Sequence, residues 1–89
     1  MAAMLVSDID FEERVRASFA RQKAMATIGA ELTQVTPGMV EIEMPFSEEL
    51  TQQHGFLHAG VISTALDSAC GFAAYSLMPA DAAVLTIEF

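Results

Sequence analysis

Basic residues are scarce in this chain: four Lys and Arg stand against twelve Asp and Glu in 89 residues, a formal charge of −8. That balance repels phosphodiester backbones and anionic membrane surfaces, so neither nucleic acid nor membrane is an expected partner. Cysteine is scarcer still. Cys70 stands alone and has nothing to pair with in an internal disulfide. The opening MAAMLVSDID lacks the basic start and long apolar core of a secretory leader, which makes a reducing cytoplasm the expected location. An uninterrupted apolar run is missing too. The stretch 59–80 comes nearest, but Ser63, Thr64, Asp67 and Ser68 sit near its middle, where a charge is expensive in lipid, and a buried helix is the better reading.

What is present is apolar: 53% of residues are hydrophobic and 18% charged, which excludes a disordered tail. The length allows one domain with a marginal core. Phe11, Val15 and Phe19 recur at a spacing of four behind Ser7, Asp8 and Asp10, predicting an amphipathic helix over 9–23 whose stripe packs rather than binds a ligand. A strand is expected over 28–35. Pro37-Gly38 then offers a type II turn, and Val40, Ile42 and Met44 alternate with Glu41 and Glu43 as the returning strand of a hairpin. Residues 47–58 read as a loop. The apolar helix starts at Ala59 or Gly60 and runs to about Leu77, stopped by Pro79 and needing cover on most sides. Leu85, Ile87 and Phe89 alternate as a last strand. The layout is α+β, and three strands are too few to wrap a helix roughly 27 Å long, so further strands or partner subunits are expected to supply cover.

The chemistry centres on QQHGFLHAGVISTALDSACG, residues 52–71. An aspartate inside a small, apolar helix is costly unless paired or put to use. Gly60, Thr64, Asp67 and Gly71 share one helical face, a small and polar stripe resembling a groove wall. The helix's first turn, at Ala59 and Gly60, offers unpaired N–H groups and a partial positive charge to an oxygen that becomes negative. Asp67 lies two turns further, roughly 10 to 12 Å down the axis, and cannot act on a carbonyl held at its own helix start. His58 and Asp67 are likewise too distant for the contact of about 3 Å that acid–base partners need. If they serve one reaction, Asp67 comes from a neighbouring, antiparallel helix, which predicts a two-fold dimer with shared sites.

Other readings are weaker. His54 and His58 could ligate a metal, but position 55 is Gly and no third ligand is evident. Cys70 reads as a small buried core residue rather than a nucleophile. Ser63 and Ser68 lie in no nucleophile elbow. Val61, Phe72 and Tyr75 are candidates to shape a pocket.

Gln52, Gly55, His58, Ala59, Gly60 and Asp67 together resemble the hot-dog-fold thioesterases of the phenylacetate-pathway (PaaI-like) type. Their motif runs Asn-x-x-Gly-x-x-His-Gly-Gly and then an Asp, with the His-to-Asp interval of nine kept here. The resemblance implies a curved antiparallel sheet around the long helix, with subunits pairing as dimers or dimers of dimers. It implies hydrolysis of a small acyl- or aryl-CoA thioester without metal or cofactor. Asp67 would be general base or nucleophile, and the N–H of Ala59 or Gly60 would polarise the thioester carbonyl. Gln52 would orient water or substrate, and His58 would help hold the loop and thioester. Gly55, Val61, Thr64 and Ser68 would contact substrate. Gln52 stands where the family has Asn and Ala59 where it has Gly. The family also continues with strands after the one ending at Phe89, so residues 1–89 are expected to form a single but incomplete domain. A hot-dog hydratase or dehydratase and a non-catalytic acyl- or CoA-binding or assembly module are the alternatives.

Overall fold

Asp8 marks the approach to the first helix among the described residues. In the computed structural model, which describes residues 8–84, its Oδ1 accepts a hydrogen bond from the Asp10 N–H at 3.0 Å. Glu12 and Glu13 then lie in the first turn of α1 (Phe11–Ala20), where negative charge complements the helix dipole. The helix stops ten residues on and a short α2 (Lys23–Thr27) follows. One helix over 9–23 was expected. The structure breaks it at Gln22, whose extended backbone turns the chain so that Met25 enters the interior, 1% exposed.

The hairpin forms largely as expected, with β1 (Glu31–Thr36) antiparallel to β2 (Met39–Glu43) and Thr36 opposite Met39 across the Pro37-Gly38 turn. Gly38 has φ 76°, the conformation a type II turn requires at its third residue. The first strand starts later than expected because Ile28 closes the α2 turn on Ala24 O at 3.1 Å and Gly29 (φ 71°) reverses the chain. Between Leu32 and Gln34 the register shifts by a bulge at Thr33, whose hydroxyl donates to Glu41 Oε1 at 2.9 Å. Glu41 and Glu43 face water while Val40 and Ile42 turn inward, as the alternation predicts.

α3 (Ala59–Tyr75) packs against β2 and carries Phe72 into a core shared with Val15 and Val35. The predicted stripe holds: Val15 is fully buried, and Phe11 and Phe19 pack against that core. Phe72 meets the Phe19 ring at 5.9 Å and the Tyr75 ring at 6.2 Å in tilted and edge-on contacts, each worth about 0.5–1.5 kcal/mol beyond burial. The helix was expected to be covered on most sides. Within the described residues it is not: Ile62 and Leu66 are 48% and 53% exposed, and Cys70, expected in the core, is exposed as well. The hairpin covers only one flank of a 17-residue helix. Among the described residues no helix is long and apolar enough to cross a membrane. The expected strand at 85–89 lies outside them.

Candidate active site

The segment entering α3 is knotted by its own polar atoms. A short 3-10 turn, Glu48–Leu50, leads into an isolated bridge between Thr51 and Leu57. Inside that bridge the Gln52 N–H donates to Phe56 O at 2.8 Å, and the Gly55 N–H donates to Gln52 O at 3.1 Å. Gly55 has φ 85° with open space around its Cα, so its requirement is backbone conformation and not room. The His58 N–H closes the loop on Leu50 O at 2.9 Å.

Gln52 serves this loop directly. Its Oε1 accepts from the His54 N–H at 2.6 Å and the Phe56 N–H at 3.4 Å. An amide group was expected here to orient water or substrate. In the structure its oxygen is already engaged by the backbone.

His58 is the N-cap of α3, and its Nδ1 accepts from the Gly60 N–H at 2.9 Å. The Val61 and Ile62 N–H groups both reach His58 O, at 3.0 and 3.3 Å. Of the four N–H groups a helix start leaves open, Ala59 alone has no acceptor among the described residues. Gly60 had been expected to share the role of carbonyl donor with Ala59. In the structure its N–H is taken by His58 Nδ1. Thr64, an expected substrate contact, donates back to Gly60 O at 2.9 Å and is exposed, while Val61 is half-buried.

Asp67 belongs to a second group. It is half-buried and lines an open cavity of about 360 Å³ together with Ser68, Gly71, Phe72 and Tyr75 of the same helix. Ser18, Arg21 and Gln22, from α1 and the break after it, form the facing wall, and the Ser68 hydroxyl donates to Gln22 Oε1 at 3.0 Å across it. Sequence reasoning anticipated Phe72 and Tyr75 here but not the facing wall, because only packing of α1 on α3 brings residues 22 and 68 together. Val61, also considered for a pocket, is not part of this one. Asp67 lies seven positions after Gly60, about 10 Å along the axis. Within one chain the loop group and the carboxylate therefore stay apart. Among the described residues no three His, Cys, Asp or Glu side chains gather in a way that could hold a metal ion.

A hairpin laid along one long helix, with the loop between them tied onto the helix start, places the chain in the hot-dog class. A solved structure agrees: a thioesterase family protein from Silicibacter pomeroyi superposes with a TM-score of 0.85 at 62% identity, over 88% of this chain and 57% of that one. The chain belongs to that thioesterase family and spans a little over half of that relative's length. No family profile matches the chain, and no curated protein does.

Proposed function

We propose that the protein is a PaaI-like acyl-CoA thioesterase that acts as a homodimer, or a dimer of dimers, in the cytoplasm. The thioester carbonyl sits at the Ala59 N–H of one subunit, and Asp67 reaches it from the partner's antiparallel helix. Water adds to the carbonyl carbon as Asp67 takes its proton. The tetrahedral oxyanion then collapses, the C–S bond breaks, and the thiolate leaves with the proton to give free acid and coenzyme A. Should Asp67 attack first, an acyl-aspartyl anhydride forms and water hydrolyses it to the same products. The observation that carries this reading is the 62% identity to a thioesterase family protein. The shared site is supported by the distance along α3 between the Ala59 amide, which has no acceptor among the described residues, and Asp67, a gap that one chain cannot close.

The test is Asp67→Asn assayed with short acyl- and aryl-CoA esters, following free thiol. Loss of about 10² or more in kcat is expected for a general base or nucleophile. Activity within tenfold of wild type, in a variant with an unchanged melting profile, would remove Asp67 from the chemistry. Thiol release also separates hydrolysis from hydration of an enoyl thioester, and coenzyme A binding without turnover would favour a binding module. Single-turnover hydrolysis in H2(18)O distinguishes the two routes. The base mechanism puts 18O in the first acid released, whereas an anhydride opened by water at the Asp67 carboxyl carbon leaves 16O from Asp67 there and 18O in Asp67.

A further inference from the structure

The acceptor atoms of two loop side chains, Gln52 and His58, are both engaged by backbone N–H groups. Two backbone N–H groups point at one end of the Gln52 amide, so that end is its oxygen, and both of its lone pairs are engaged. An N–H points at Nδ1 of His58, so Nδ1 carries the lone pair and the ring proton resides on Nε2. The ring lies so close over Gly60 that a Cβ there would sit 3.1 Å from Nδ1 and 3.3 Å from Cε1. That contact is a physical reason for glycine at position 60, where φ is unexceptional.

We propose that Gln52 and His58 are positioning residues, which act through their acceptor atoms on the loop and helix-start backbone and not through donors on the substrate. Gln52 Oε1 sets the turn 52–56. His58 Nδ1 holds the Gly60 N–H, leaving the N–H of exposed Ala59 as the one at the helix start with no acceptor among the described residues. This assignment rests on the thioesterase reading for its consequence in catalysis, but its structural content stands apart from that reading.

The conservative variants separate acceptor from donor. Asn at position 58 offers Oδ1 to the Gly60 N–H, as a good N-cap does, and lacks the outward imidazole N–H. Glu at position 52 keeps two acceptor oxygens and has no NH2. The expected result is that His58→Asn and Gln52→Glu retain kcat within about fivefold of wild type, whereas His58→Ala and Gln52→Met lose tenfold or more, chiefly in kcat and not KM. In parallel, 15N NMR of the wild-type protein should show His58 with an unprotonated Nδ1. Amide exchange should be slowed at Gly60 in His58→Asn but not in His58→Ala, and at His54 and Phe56 in Gln52→Glu but not in Gln52→Met. A proton on Nδ1, or conservative variants as inactive as the deletions while those amides stay protected, would overturn the assignment. A wild-type protein with the expected tautomer and protected amides that hydrolyses no thioester would instead sink the thioesterase reading and leave the acceptor roles standing.

Discussion

Ser76 and Gly38 meet across half the chain: the fully buried Ser76 hydroxyl accepts the Gly38 N–H at 2.8 Å while donating to Ala73 O at 2.7 Å. One side chain thus joins the hairpin turn to the end of α3. Ser76→Ala strands the Gly38 donor in a partly buried turn, and a loss of about 1–3 kcal/mol is expected. Urea unfolding would show it as a lower midpoint at unchanged slope. A midpoint equal to wild type would mean that water replaces the hydroxyl without cost.

Arg14 makes a second tie to the same helix end. Its Nε donates to Asp8 at 2.9 Å, its Nη2 donates to Tyr75 O and Met78 O at 3.1 and 2.9 Å, and its guanidinium lies 4.2 Å from the Tyr75 ring centre. Burial works to lower its pKa, but the hydrogen bonds and attraction toward Tyr75 and Asp8 outweigh burial and raise it above the ordinary guanidinium value. A raised pKa adds stability that persists until pH climbs through it, so this tie holds its proton throughout the working range. Arg14→Lys keeps the charge and loses the planar fork, and about 1–2 kcal/mol of destabilisation is expected by thermal melting.

Gly60 and His58 should be energetically coupled. Ala at 60 gains helix propensity of up to about 1 kcal/mol but pushes the His58 ring from its cap, which is worth about the same. Gly60→Ala should therefore change stability by less than about 0.5 kcal/mol in the presence of His58, and stabilise by roughly 0.5–1 kcal/mol when position 58 is already Ala. A double-mutant cycle from denaturation curves measures the difference. A zero coupling energy would mean that the ring contact carries no weight.

The Ser68–Gln22 bridge is exposed, so its removal should alter stability by less than about 0.5 kcal/mol. Its place across the cavity beside Asp67 makes substrate discrimination the more sensitive readout. Ser68→Ala and Gln22→Ala are each expected to shift the ratio of kcat/KM between bulky aryl and short acyl thioesters toward the bulky ones, by roughly 3- to 10-fold. An unchanged ratio would place the acyl group elsewhere.

Local patterns were legible where the physics is local. The Pro37-Gly38 turn, the alternation from Val40 to Glu43 and the start of α3 at Ala59 all follow from backbone preference and periodicity, and the structure reproduces them. The end of α3 came at Tyr75, two residues before the expected Leu77, because Arg14 and Ser76 supply partners there from outside the helix's own sequence pattern. The break at Gln22 was invisible for a similar reason. Nothing in residues 20–24 forbids a continuous helix, and burial of Met25 decides it.

Composition, periodicity and the Gln52-to-Asp67 spacing determined the α+β class, the motif and the separation between helix start and carboxylate, since each depends on chain geometry counted in residues. Tertiary structure alone decided that the Gly60 N–H is occupied while that of Ala59 has no acceptor among the described residues, that the Gln52 oxygen meets the loop backbone, and that α1 supplies the wall facing Asp67. A side chain's hydrogen-bond partner is chosen by which groups the closed loop and packed helices bring within 3 Å, a distance that spacing along the chain does not encode.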